Sequence, residues 1–378
     1  MKLVCLVFLI TAVFAAPKDP ELKDTELIFT FLVHRHGDRT PVLSSLVLSN
    51  DPTKLSELSA PYGYGQLTNI GKQRAYELGQ TIKSRYSELI SEKYNRSEVF
   101  VRTTDSTRTQ MTALAELAAI YQPGKNSWSQ ELQWTPVPYT TVPLKYDFNA
   151  AFVNCPVFID GYQASFYKPV PAMKKFKDVL KVVSKHVSVD LNAYPALTYA
   201  VYDLFVSQLS LGLPLVPEIQ KVLPKIEEAA GIAMDAVYGN ENYVPLQAGV
   251  FLNEFFTTVD KVIAGNDTRR FRIYSAHDFN VFSFESVTKI TNKQGYPKYA
   301  SAYSLEVRRN VKNGKYVVLP VYLPEPGAAV KYLKIKGCSQ LCDLEKFRQI
   351  TASNVLDEDT WRSKCGFSND MYIDDSLV

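Results

Sequence analysis

The chain has 378 residues, of which 46% are apolar and 21% charged, with a net charge of +3. This is the composition of a globular protein, long enough for two or three domains' worth of core at about 150 residues each. The charge balance points to neither nucleic acid nor a membrane surface as a partner.

Met1-Lys2, the apolar stretch Leu3 to Phe14 and the small-x-small triplet Val13-Phe14-Ala15 read as a secretory signal peptide, residues 1–15, cleaved after Ala15. The stretch is too short to span a membrane, and no second long apolar run follows. A soluble, secreted product is expected.

Leu27 to Val33 is a nearly continuous apolar run, the pattern of a strand buried on both faces. Gly37 and Pro41 stop it, after His34, Arg35, His36 and Arg39 have been placed at its carboxyl end, where open α/β sheets hold ligands. Guanidiniums four residues apart repel unless an anion lies between them, and their planar fork suits phosphate or carboxylate. An imidazole in the same grip is a poor ligand for a metal cation and a good nucleophile toward a phosphoryl group.

Residues 44–64 are loop-like. An amphipathic helix then begins near Leu67, capped by Thr68, with Ile70, Leu78, Ile82 and Leu89 along its apolar stripe. Asn95-Arg96-Ser97 is an N-glycosylation acceptor, as is Asn266-Asp267-Thr268 farther on. Val99 to Arg102 predicts a second buried strand, and the helix running to Ile120 puts Arg108 in a first turn, beside free N–H groups that favour an anion. Arg102 is expected to support the pocket through an ion pair. Residues 156–244 turn helical, which predicts a smaller subdomain inserted into the sheet and able to overhang its strand ends. A helix over about 246–264 leads to a third strand, Phe271 to Ser275, which stops at Ala276-His277-Asp278. Residues 303–310 and 315–323 flank Val311-Lys-Asn-Gly314 as a hairpin.

The predicted class is therefore α/β: a mostly parallel sheet flanked by helices, with residues 16–155 and 245–378 as the core and 156–244 as a helical cap. All parallel strands end on one edge, so Arg35/His36/Arg39, Arg102/Arg108 and His277/Asp278 can converge there. Taken alone, a His-Asp pair after a strand is more often a structural hydrogen-bonding pair. His34 and His36 at i, i+2 lack an evident third ligand, so no metal is expected and His34 reads as packing or tuning the pocket. His186 reads as a solvated or packed helical residue. Once Cys5 has left with the signal peptide, Cys155, Cys338, Cys342 and Cys365 remain, an even number suited to an oxidising compartment. They allow three pairings, and the Cys338/Cys342 spacing fits a local disulfide or half a metal site.

Arg35-His36-Gly37-Asp38-Arg39-Thr40-Pro41 resembles the R-H-G-x-R-x-P signature of the histidine acid phosphatases, the second clade of the histidine phosphatase superfamily. The likeness runs over nearly all of the mature chain and is nearest to the secreted prostatic type and to insect venom acid phosphatases. It implies a phosphohistidine formed on His36, with Gly37 letting the backbone orient the ring. Arg35, Arg39, Arg108 and His277 would hold the phosphoryl oxygens, and Asp278 would donate a proton to the leaving group and then activate water. It also implies no cofactor, a small phosphate monoester or phosphoprotein as substrate, a homodimer, and the bridges Cys338–Cys342 and Cys155–Cys365. A further bridge of vertebrate relatives is missing, since Ala302 stands where one of its cysteines would be. Two rivals share the scaffold: a phytase or inositol-polyphosphate phosphatase, which would want a more basic cap, and a secreted binding protein that has lost turnover.

Overall fold

The computed structural model describes residues 22–124 and 127–373, so the expected signal peptide lies outside the described residues. The strands are β1 (Thr25–Arg35), β2 (Val99–Thr103), β3 (Thr140–Thr141), β4 (Phe271–Ala276), β5 (Ala302–Asn310), β6 (Tyr316–Leu323), β7 (Lys331–Tyr332) and β8 (Cys342–Asp343). They form one sheet in the order β3-β2-β4-β1-β5-β6-β7, with β8 beside β6.

The two-residue period of β1 explains its central place. Phe29, Phe31 and Val33 face one apolar cluster with Phe251 and Phe255 of the Val244–Ile263 helix and Val281 and Phe284 of the Asp278–Val287 helix. Leu32 faces the other, with Leu78 and Ile82 of the Asn69–Arg85 helix and Ala113, Leu117 and Ile120 of the Thr107–Ile120 helix. Burying each large apolar side chain is worth roughly 1.5–3 kcal/mol, so helices cover both faces.

The α/β class and the flanking helices are as the sequence predicts, but the sheet is mixed rather than mostly parallel. β1 pairs in parallel with β4, and β2 with β4 and β3. On the other side of β1 the hairpin β5/β6 and its neighbours β7 and β8 pair antiparallel; within the hairpin a five-residue connection reverses the chain, where a crossover helix would be needed to keep it parallel.

Thr68 caps the Asn69–Arg85 helix, its hydroxyl accepting from Gly71 N at 3.2 Å. Ile70 is 48% exposed and outside the stripe, and Leu89 lies beyond the helix end. Between β3 and β4 the described residues carry no strand. The helices Pro156–Ser165, Lys177–Val183, Thr198–Ser210 and Pro217–Tyr238 share an apolar cluster that also takes in Phe282 and Trp361. Cys155 is bridged to Cys365 and Cys338 to Cys342. Asn95 and Asn266 are both exposed.

Candidate active site

β1, β4 and β2 end on one edge because they are parallel and in register: Arg35 lies opposite Ala276, and Thr103 opposite Ser275. The turn after β1 is held by close backbone contact. A Cβ at Gly37 would sit 2.3 Å from Gly71 O, and one at Gly71 would sit 1.9 Å from Asp38 O. The turn thus rests directly on the first turn of the Asn69–Arg85 helix, and Thr68 N and Gly37 N donate to Asp38 O and Thr112 Oγ1.

His36 Nδ1 lies 2.8 Å from Gly37 O. A carbonyl only accepts, so Nδ1 carries the hydrogen and Nε2 keeps a lone pair. Burial, then the positive charges of Arg108, Arg35 and Arg39, push the ring's titration well below the ordinary histidine value. The ring is neutral, and it meets the His277 ring edge-on at 5.5 Å.

Arg35 Nη1 donates to Pro297 O at 2.9 Å, and Nη2 reaches both Asp203 Oδ1 at 2.8 Å and Asp278 Oδ2 at 2.9 Å. Its guanidinium lies 4.1 Å from the centre of the Tyr299 ring. Arg39 Nη2 donates to Asp203 Oδ2 at 2.7 Å. Burial works to raise the Asp203 carboxyl, but Arg39 and Arg35 outweigh it and hold it down at about 2. Asp203, on the Thr198–Ser210 helix, therefore fixes the spacing of the two signature arginines.

Arg108 Nη2 lies 3.2 Å from His277 Nδ1. A guanidinium only donates, so Nδ1 accepts and His277 Nε2–H donates to Thr104 Oγ1 at 2.9 Å. The His277 ring is also held neutral, by burial and then by Arg108. With both nitrogens engaged it orients Arg108, and in this arrangement has no N–H left for a phosphoryl oxygen. Burial, with Arg39 alongside, brings Arg108 down to about 9, still cationic at neutral or acid pH. Among the described residues, Arg108 Nε and Nη1 and Arg39 Nε are buried without a hydrogen-bond partner. Buried charged donors left unpaired are costly, and an oxyanion is the group that would satisfy them.

Asp278 opens its helix with a side chain 19% exposed. Oδ1 accepts from Phe279 N at 2.7 Å, and Oδ2 lies 3.0 Å from Tyr296 Oη. Every residue that the sequence picks for the site is in this cluster: Arg35, His36, Arg39, Arg108, His277 and Asp278. Arg102 stands aside: it makes an ion pair, donating to Asp147 Oδ1 at 2.7 Å, but not one with a residue of this cluster. His34 is fully buried against Glu116 Oε2 at 2.8 Å, and its Nδ1 lies 3.1 Å from Arg35 O. His186 lies in the turn after the Lys177–Val183 helix. Among the described residues no group of three His, Cys, Asp or Glu side chains could hold a metal ion.

Sequence reasoning misses Asp203, Tyr296, Thr104 and Gly71. One signal for Asp203 exists: it is the sole charged residue of the Thr198–Ser210 helix and stands between the buried Tyr202 and Leu204. A cavity of about 350 Å³ borders the cluster at Arg35, Tyr296 and Tyr299, and Tyr202, Val206 and Leu223 line it farther out.

A family profile of the histidine phosphatase superfamily, branch 2, matches residues 26–321. The chain is 33% identical to prostatic acid phosphatase of Bos taurus over 368 residues, which is 94% of this chain and 92% of that protein. It is 27% identical to lysosomal acid phosphatase of Xenopus laevis over 99% of this chain and 86% of the relative. Among solved structures, the phytase of Citrobacter braakii superposes with a TM-score of 0.66 at 14% identity, over 90% of this chain and 99% of that one. At such identity the likeness is one of fold.

Proposed function

The chain belongs to the histidine phosphatase superfamily, branch 2, and from that premise we propose that it is a secreted acid phosphatase hydrolysing phosphate monoesters through a phosphohistidine on His36. The observation that carries the reading is the unprotonated Nε2 of His36 set among three guanidiniums. Nε2 attacks phosphorus, the P–N bond forms as the P–O bond to the alcohol breaks, and Asp278 gives its proton to the departing oxygen. Asp278, now a carboxylate, takes a proton from the water that cleaves the P–N bond, which releases phosphate and restores the acid. Arg35, Arg39 and Arg108 hold the equatorial oxygens and the charge that builds on them, and His277 contributes by fixing Arg108.

Charge supports the reading. Three arginines face one ionised Asp203 and, at the start of the cycle, a protonated Asp278, leaving a surplus of two positive charges for a phosphate dianion. The segment 156–244 carries eight lysines against five aspartates and four glutamates, so it is close to neutral, which favours a single phosphate over an inositol polyphosphate. The cavity beside Arg35 offers room for the alcohol portion of a small ester or a phosphorylated side chain. Secretion is supported by the signal-peptide pattern of residues 1–15, by two disulfides and by two exposed glycosylation acceptors.

The test is hydrolysis of p-nitrophenyl phosphate with EDTA present, at about pH 5 and about pH 7.5, by wild type and His36→Ala. Because Asp278 works as an acid, activity should be stronger at the pH nearer the carboxyl range. The variant should lose about 10⁴-fold or more, together with the acid-labile phosphoryl group trapped on quenched wild type. An active His36→Ala, or activity abolished by EDTA, would sink the mechanism.

A further inference from the structure

One hydroxyl in the cluster has no part in the reaction above. Tyr296 Oη lies 2.9 Å from Asp203 Oδ1 and 3.0 Å from Asp278 Oδ2, yet a phenol has a single hydrogen to give. If both carboxylates were ionised, one of these contacts would set two lone-pair oxygens against each other in a buried site. One added proton removes the conflict and leaves every oxygen paired.

The surroundings decide which carboxylate takes it. Asp203 is gripped by Arg35 and Arg39, one on each oxygen. Among the described residues Asp278 forms an ion pair with Arg35 alone, through an Nη2 that it shares with Asp203, and its Oδ1 already accepts from Phe279 N as the carbonyl oxygen of an acid would. Of the other groups near Asp278, Arg108 is turned toward His277. The phenols of Tyr162, Tyr199 and Tyr238 hydrogen-bond one another, and burial raises each above the ordinary tyrosine value. The same cause keeps the Tyr296 phenol protonated, and Tyr299 packs its face against Arg35.

We propose that Tyr296 is a positioning residue that holds the general-acid proton on Asp278: its O–H is committed to Asp203, and its oxygen accepts the proton from Asp278 Oδ2. The relay runs Asp278 O–H to Tyr296 O–H to the Asp203 carboxylate. When the ester bond breaks, the Asp278 O–H swings from Tyr296 to the departing oxygen and transfers its proton there. Nothing moves along the relay itself, so Asp203 stays ionised and the arginine spacing is kept. This inference rests on the proposed role of Asp278 as the acid.

Tyr296→Phe removes the hydroxyl and keeps the ring against Arg35 and Tyr202. Tyr303→Phe, which removes a buried phenol bonded to Thr288 away from the cluster, is the control. The measurement is kcat and KM against pH for two esters, p-nitrophenyl phosphate with its good leaving group and glycerol 2-phosphate with its poor one. In Tyr296→Phe, kcat for the glycerol ester should fall about tenfold or more and its alkaline limb should move about one pH unit toward acid, with KM steady. Turnover of p-nitrophenyl phosphate should stay within about twofold, and Tyr303→Phe should match wild type throughout. Equal slowing of both esters with an unmoved limb would overturn the proposal, leaving Tyr296 a packing residue. A limb displaced toward alkali would also overturn it, since the phenol would then be donating to an ionised Asp278. An inactive wild type, or an active His36→Ala, would instead remove the reading on which the proposal rests.

Discussion

At the scale of single residues, three histidines within two strand ends are driven to opposite states by their neighbours. His36 and His277 are buried among guanidiniums and depressed well below the ordinary value. Burial also works against charging His34, but Glu116 outweighs it and raises the ring. As pH falls below about 6.5, the unfolded chain therefore takes up protons that His36 and His277 refuse, and these two subtract stability. His34 does the reverse: its contribution is fully present below that value and is lost as pH rises through its folded titration. Nitrogen NMR should show His36 and His277 still neutral at about pH 5.5 with His34 protonated, and a charged His36 there would contradict the proposed nucleophile. Much of this was legible, since Arg35, His36 and Arg39 advertise an anion site by type and spacing alone. Glu116 was not, because it sits on a helix whose pattern says only that one face is buried. Tyr296 was hidden for a different reason: a tyrosine in a chain with 23 of them carries no signal until its oxygen is placed between two carboxylates.

Among the elements, the three key strands could be read from sequence because burial on both faces leaves continuous apolar runs and the charged residues mark where each stops. The hairpin was equally visible, whereas the mixed pairing of the sheet was not, because nothing in β1 says which neighbour will run against it. The contact between the signature turn and the Asn69–Arg85 helix was also out of reach, for it depends on two glycines 34 positions apart meeting backbone to backbone. Gly71→Ala forces its methyl into Asp38 O, so it should cost about 3 kcal/mol in urea unfolding and shift His36 enough to lower kcat. Gly124→Ala, where an added Cβ meets nothing within 4 Å among the described residues, should leave both measurements unchanged. Equal stability of the two variants would mean that the turn does not rest on the helix.

Over the whole molecule, the two disulfides should differ in worth. Cys155–Cys365 joins residues 210 apart and Cys338–Cys342 joins residues 4 apart. Chain-entropy reasoning gives about 5 kcal/mol for the first and about 2 for the second. Replacing the long-range pair by alanine should therefore lower the urea midpoint much more than replacing the short one, and the opposite order would place the stabilisation elsewhere. The sequence left the pairing open by itself, since spacing cannot say that Cys155, just before the Pro156–Ser165 helix, lies beside the Glu358–Cys365 helix.

The position of β1 in the middle of the sheet bears on synthesis. Its partners β4 and β5 begin at residues 271 and 302, so more than two hundred residues must leave the ribosome before either edge of β1 is covered. At about 5–20 residues per second this is a wait of tens of seconds, during which an apolar strand with two open edges is exposed to other nascent chains. Production in a foreign host should thus be limited by chaperone supply during elongation, more than by the stability of the finished enzyme.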